Sequence, residues 1–278
     1  MPEPGIDPAA FNAFEAAGWQ RKAAAYDAFF ATVTSRVVDP LLDAAEVADG
    51  TRVLDVATGP GYVAARAAGR GARVTAVDVA PAMVALVHRR HPQVDVQEAD
   101  AERLPFLRAS FDAVVSNFGL LHFGRPERAA AELARVAAPG GRVALTVWDV
   151  PARARLIGVF VDAMTEAGAQ PPAGMPTGPP FFRFSAEDEL TTLAEGAGFV
   201  DVAVHTLEFT QHVDSPDAYW DGLLAGTVRT GPSVLDQPDD VRARVRAAFD
   251  RLVAEYATPG GALDVPVSVK LATARLPR

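Results

Sequence analysis

The sequence predicts an α/β protein built on a doubly wound sheet, and three observations carry that prediction. From Arg52 onward, short apolar runs alternate with alanine-rich amphipathic segments, the texture of parallel strands buried on both faces by crossover helices. Prolines and glycines fall at the joints between these segments. The chain then closes with runs at 199–210 and 264–276 that read as a terminal strand pair, the second carrying Val265, Val267, Val269 and Leu271 at alternate positions.

Taken in order, residues 1–48 read as a helical cap. Phe11, Phe14, Trp19, Tyr26, Phe29, Phe30, Val33 and Val37 recur at three- and four-residue steps, and Gly18 and Pro40 are expected to divide the cap into short helices. Strands are expected at 52–56, 73–77, 94–97, 113–117 and 142–148, with helices at 61–68, 81–90, 127–137 and 152–167. Pro81 and Pro126 suit a first helical turn, where a missing N–H leaves no partner wanting. Pro139-Gly140-Gly141 reads as the stop before the fifth strand. The stretch 170–184 opens in a Pro- and Gly-dense loop, Ser185-Ala186-Glu187-Asp188 has the form of a helix-start box, and Gly198 suits a helix stop. Two helical segments, 216–229 and 238–256, form an insertion across 211–262 between the last two strands. The expectation is one domain: seven strands, mostly parallel with an antiparallel terminal strand, a sheet core at 50–150, the helical cap and the helical insertion. Such sheets bind ligands beyond the C-terminal ends of their strands.

Composition narrows the chemistry. The 278 residues are 49% hydrophobic and 22% charged, a globular balance. Twenty-six Lys and Arg against thirty-five Asp and Glu give a net charge of -9, the wrong sign for neutralising phosphates, so no nucleic-acid partner is expected. No apolar run reaches membrane-spanning length, and Met1-Pro2-Glu3-Pro4-Gly5 lacks a basic, then apolar, export signal; a cytoplasmic protein without membrane contact is expected. Without cysteine there are no disulfides, thiolate nucleophiles or Cys-ligated metals. His88 and His91 are the one close histidine pair, and they sit among Arg89 and Arg90 like a solvated helix end, so no metal is expected. Lys22 and Lys270 are the only lysines, which leaves little room for Schiff-base chemistry.

The informative segment is Val53-Leu54-Asp55-Val56-Ala57-Thr58-Gly59-Pro60-Gly61-Tyr62, at the end of the first strand. Its glycines let the backbone turn sharply and approach a ligand, and the following helix offers unpaired N–H groups. Gly59-x-Gly61-x-x-Ala64 also fits a loose dinucleotide fingerprint, so the neighbours must discriminate. Asp55 stands at the strand end, where a carboxylate repels pyrophosphate but suits a cationic ligand. Asp78 ends the next strand at the spacing of a ribose-binding acid, about 20 residues on. Ala99-Asp100-Ala101-Glu102 follows the third strand, where an acid can bind the exocyclic amine of adenine. Three acids at three successive strand ends describe a pocket for an adenosine that carries a cation.

These segments resemble those of the class I S-adenosylmethionine-dependent methyltransferases, most of all the small-molecule, ubiquinone/menaquinone-biosynthesis-like subgroup. Asp55-x-x-x-Gly59-x-Gly61 is similar to that family's first motif, Asp78 to its ribose acid and Asp100-Ala101 to its adenine motif. Phe111-Asp112-Ala113-Val114-Val115-Ser116-Asn117 resembles its fourth strand, and Pro139-Gly140-Gly141-Arg142 the turn before its fifth. The likeness is close over 50–150 and looser beyond. It implies a Rossmann-like fold and S-adenosyl-L-methionine as cofactor. It also implies Ala57, Thr58, Gly59 and Gly61 at the methionine portion, with Asp55 on its amino group directly or through water. Val79 and Met83 would flank adenine, or simply pack the second helix. Asn117 and Phe118 would line the pocket, and Trp19 and Tyr26 would lie over the cofactor or serve the core.

Methyl transfer from a sulfonium is an in-line displacement, so alignment is the protein's main task and a base assists where the acceptor carries a proton. His122, in Asn117-Phe118-Gly119-Leu120-Leu121-His122-Phe123 after the fourth strand, is the candidate base; the alternative is a histidine that bonds a loop carbonyl or caps the next helix. Phe181, Phe182, Tyr219 and Trp220 suggest a small apolar or aromatic acceptor, or equally the packing of a helical core; Arg183 and Arg229 are candidates for a substrate carboxylate, with a solvated role the default. A nicotinamide-dependent oxidoreductase is disfavoured by Asp55 and by the lack of a Tyr-x-x-x-Lys pair, and an inactive adenosine-binding module by the intact acidic trio. Oligomeric state is left open, a homodimer being compatible.

Overall fold

The computed structural model describes residues 6–278; Met1-Pro2-Glu3-Pro4-Gly5, read above for an export signal, lie outside them. Seven strands form one sheet: β1 (Arg52–Val56), β2 (Arg73–Asp78), β3 (Asp95–Glu98), β4 (Phe111–Asn117), β5 (Ala137–Trp148), β6 (Val200–Val213) and β7 (Leu263–Arg275). Their order is β3-β2-β1-β4-β5-β7-β6. Pairing is parallel from β3 to β5, and β7 runs antiparallel to both β5 and β6. The chain reverses its direction of travel across the sheet between β1 and β4. The loops after these two strands, 57–61 and 118–122, therefore open on one crevice at the strands' C-terminal ends.

Strand alternation sorts the core into two layers. Val53 and Val115 face α2 (Val38–Ala44) and α3 (Tyr62–Gly69), whereas Leu54 and Val114 face α5 (Pro126–Val136) and α7 (Glu187–Gly196). α4 (Pro81–Arg90) covers β2 and β3. A third apolar cluster lies over the strand ends. It joins α1 (Pro8–Thr34), α6 (Arg155–Ala167), α8 (Pro216–Gly226), α9 (Thr230–Leu235) and α10 (Asp239–Val253) through Phe30, Phe160, Tyr219, Val234 and Phe249. Among the described residues no helix is long and apolar enough to cross a membrane.

Several expectations need correction. α1 is one helix of 27 residues, started by Asp7, whose carboxylate accepts from the N–H groups of Ala9 and Ala10 at 3.0 and 3.1 Å. Gly18 does not break it. A Cβ there would stand 2.3 Å from Val228 Cγ1, so the glycine serves close packing against the segment after α8. Pro40 falls in the first turn of α2. Pro139-Gly140-Gly141 lies inside β5: α5 passes directly into the strand, and the pairing with β4 jumps from Phe111↔Ala137 to Ala113↔Arg142, leaving the triplet as a bulge around Gly140 at φ +75°. Ser185 does not cap α7, because its hydroxyl donates to Phe182 O at 2.6 Å instead. α9 lies between the helices expected at 216–229 and 238–256 and was not itself expected; Pro232 sits in its first turn, where proline is tolerated.

Candidate functional site

At the end of β1 the backbone turns through positive φ at Ala57 (+58°) and Gly59 (+55°) before α3 begins. The two glycines of this loop do different work. At Gly61 a Cβ would meet Val87 Cγ2 at 2.8 Å, so that position is needed for α3 to pack on α4. Over Gly59 the sole atom within 4 Å of such a Cβ is Tyr26 Cε1, at 4.0 Å, and the space there is open to a ligand.

Asp55 stands behind the loop, fully buried. Its Oδ2 accepts from the Thr58 hydroxyl at 2.6 Å and the Ala64 N–H at 3.1 Å, while Oδ1 has no hydrogen bond; burial pushes the carboxyl up to about 7. Asp78, ending β2, accepts from the Gly59 and Ala80 N–H groups, each at 2.9 Å, and burial pushes it up to about 6. Asp100 follows β3 and accepts from Glu102 N–H at 2.8 Å. Glu102 is buried, its Oε1 taking the Asn12 amide at 2.7 Å and the Arg125 N–H at 2.8 Å. After β4, Asn117 accepts from the Thr146 hydroxyl at 2.5 Å and donates to Thr34 O at 3.0 Å, which ties the end of α1 to the sheet. Phe118 lies on Trp148 with ring centroids 4.3 Å apart.

α1 closes the crevice. Asp27 holds Arg90 at 2.5 and 2.6 Å and accepts the Tyr62 hydroxyl at 2.8 Å, fastening α1 to α3 and α4. Trp19 and Tyr26 turn inward, and burial pushes the Tyr26 hydroxyl up to about 12. One turn before Trp19, Glu15 is only 2% exposed. Its Oε2 lies 2.9 Å from His122 Nδ1, and its Oε1 lies 3.0 Å from Arg229 Nε, without the alignment of a hydrogen bond. Arg229 also donates to Leu121 O at 2.9 Å and lies over the rings of Phe181 and Phe11, 4.7 and 5.3 Å from their centroids.

These side chains surround one cavity with about 1170 Å³ of space, its open mouth included. Of the residues singled out in the sequence, Trp19, Tyr26, Ala57, Gly59, Asp78, Val79, Met83, Asp100, Ala101, Asn117, Phe118, His122 and Phe181 line it. Asp55, Thr58 and Gly61 support the loop from behind. Tyr219 and Trp220 belong to the core instead. Tyr219 is wholly buried with its hydroxyl on Leu156 O at 2.7 Å, and Trp220 packs on Phe160 and Phe249. Phe182 packs on Phe181 outside the lining, and Arg183 is taken by Glu127 and Glu189 at 2.7 and 2.8 Å. Sequence reasoning missed Glu15, Phe30, Thr34, Phe123, Trp148 and Ile157, and weighed Arg229 as a solvated charge or a carboxylate binder without its Glu15 partner. One signal was there to find: Glu15 interrupts the apolar stripe that runs through Phe11 and Trp19 at four-residue steps.

The charge of the lining selects its ligand. Four carboxylates, Glu15, Asp78, Asp100 and Glu102, face one guanidinium, Arg229, so the cavity favours a cation. The open space over Gly59 and the acids Asp78 and Asp100 fit a cationic adenosine.

A family model described as a methyltransferase domain matches residues 54–145. The demethylmenaquinone methyltransferase of Renibacterium salmoninarum is 40% identical over 111 residues, 40% of this chain and 47% of that protein. That of Paenarthrobacter aurescens is 30% identical over 175 residues, 60% of this chain and 69% of that protein. The chain thus spans about half the length of the first of these relatives. Among solved structures, the YcgJ protein from Bacillus subtilis shares the fold with a TM-score of 0.58 at 17% identity, covering 87% of this chain and 99% of that one.

Proposed function

The chain belongs to the class I S-adenosylmethionine-dependent methyltransferase family, and on that premise we propose that it methylates a small apolar or aromatic organic molecule with S-adenosyl-L-methionine, by direct in-line displacement. The observation that carries this reading is the cavity at the strand ends, lined by Asp78, Asp100 and Glu102 after β2 and β3 and by the aromatic side chains of Trp19, Tyr26, Phe30, Phe118, Trp148 and Phe181.

On this reading Asp78 accepts hydrogen bonds from the ribose hydroxyls, and Asp100 with Ala101 meets the adenine edge. Val79 and Met83 cover the adenine faces. Ala57 and Gly59 bring backbone to the methionine portion, where Asp55 acts by holding the loop through Thr58 and Ala64. Trp19, Tyr26, Asn117 and Phe118 enclose it. When bound, the cofactor supplies a methyl group on a sulfonium whose positive charge disappears as the methyl leaves. The protein's own part is alignment and exclusion of water, and both follow from α1 lying across the crevice, pinned by Asp27. His122 packs edge-on against Trp19, with Nδ1 on Glu15, and offers its Nε2 to an acceptor's proton.

Incubation with S-adenosyl-L-methionine and a panel of apolar, aromatic and hydrophilic small molecules, read by mass spectrometry, tests the reading. The expected product is an apolar or aromatic compound heavier by one methylene, formed together with S-adenosylhomocysteine. Methylation confined to charged, hydrophilic acceptors contradicts it.

A further inference from the structure

Glu15 is a carboxylate on the buried face of α1, at a position the apolar stripe of that helix would fill with a hydrocarbon. Burying a carboxylate costs several kcal/mol unless it is paired. Its partners are His122 at 2.9 Å and Arg229 at 3.0 Å, both of which line the cavity. We infer that Glu15 is the positioning residue for His122, and that the pair selects an acceptor bearing an aromatic or enolic hydroxyl. The inference rests on the methyl-transfer reading above.

The geometry argues for the positioning role in three steps. An ionised Glu15 only accepts, so the 2.9 Å contact puts the proton of a neutral His122 on Nδ1 and leaves the lone pair on Nε2. Among the described residues Nε2 has no hydrogen-bond partner, and His122 lines the cavity, so that lone pair faces a ligand. The ring is fixed in place, with Trp19 edge-on at 4.9 Å and Phe181 at 6.5 Å. His122 does not cap the next helix: α5 starts at Arg125 without a side-chain cap, and the His122 Nδ1 is taken by Glu15.

The same arrangement restricts the acceptor. Arg229 is already held by Glu15, Leu121 O and two aromatic faces, so it does not offer a free site for a substrate carboxylate. Glu15 itself repels one. A neutral amine attacks through its own lone pair and sheds its extra proton only after the methyl has transferred. A hydroxyl on an aromatic or enolic carbon is a weak nucleophile until its proton is taken, and imidazole is matched to that task near neutrality. As the acceptor oxygen forms its bond to the methyl carbon, Nε2 takes the hydroxyl proton and the electron pair of the breaking sulfur–methyl bond stays on sulfur. The products are a methyl ether, S-adenosylhomocysteine and a His122 imidazolium beside Glu15, which later gives its proton to water. One positive charge vanishes at sulfur as one appears on the imidazole. Both Glu15 and Arg229 lie outside residues 54–145, so the matched region alone does not supply this assembly.

Two readouts on the full chain loaded with S-adenosylhomocysteine test the inference without turnover. In ¹⁵N-histidine NMR at alkaline pH, wild-type His122 should show the Nδ1–H tautomer, opposite to the preference of free histidine, and Glu15→Leu should lose it. With 4-nitrophenol as the acceptor probe, the bound dye should be ionised to a greater extent than free dye at the same pH, and His122→Phe should abolish the difference. An Nε2–H tautomer in the wild type, or a dye that does not bind or stays unionised, overturns the inference; neither wild-type result depends on a variant folding. Calorimetry with S-adenosylhomocysteine separates the two levels, because loss of cofactor binding in the wild type would sink the methyl-transfer reading itself.

Discussion

Asp55 and Asp78 hold protons in the folded chain that they would release when unfolded, for burial pushes them up to about 7 and about 6. The unfolded chain ionises them near pH 4, so between about pH 4 and 7 the folded form binds more protons and stability falls as pH rises. Below about pH 4 their contribution is fully present. Thermal unfolding followed across that range should show this decline in the ligand-free protein, and Asp55→Asn should flatten it; an unchanged slope would mean that neither carboxyl is desolvated as described. For Asp78→Ala the expected outcome is weaker S-adenosylhomocysteine binding, by about 1.5–3 kcal/mol for each charge-assisted hydrogen bond lost, which calorimetry would read as at least a tenfold rise in Kd. At this scale the sequence was legible where a residue ends a strand or stands just past one, as Asp78, Asn117 and Asp100 do. It was silent where two distant segments must meet: nothing near Arg229 announces Glu15, and Tyr219 and Trp220 could not be assigned to core or pocket without knowing which way α8 faces.

The alternation of apolar runs located all seven strands because both faces of the sheet are buried and the pattern is strong, with β5 beginning at Ala137 rather than at 142. The errors have one physical source. Gly18 and Pro139-Gly140-Gly141 look like punctuation, yet they serve a close helix contact and a bulge. Gly18 makes this testable. Replacing it with Leu should lower stability by about 1–3 kcal/mol through the clash with Val228, as measured by urea denaturation, and Val228→Ala should recover part of the loss. A neutral Gly18→Leu would show that α1 does not lie as tightly against the segment after α8 as the 2.3 Å approach requires.

Over the whole molecule, the matched region 54–145 carries the loops after β1, β2, β3 and β4, while α1 and the helices beyond β5 close the cavity around them. The net charge of -9 reads differently once folded, since four of its carboxylates line one cavity. Saturation with a ligand at 100 times its Kd should stabilise the fold by about 2.7 kcal/mol. Hydrogen exchange should show that protection concentrated in α1 and the 57–61 loop, with β6 at the far edge of the sheet unchanged. Protection spread evenly, or strongest in β6, would place the ligand elsewhere. The central claim, a cavity built for a cationic adenosine, is tested most directly by isothermal titration of the ligand-free chain with S-adenosyl-L-methionine and, separately, with NAD⁺. Micromolar or tighter binding of the sulfonium with no detectable heat from the dinucleotide is the expected result; NAD⁺ binding in preference to S-adenosyl-L-methionine would contradict it.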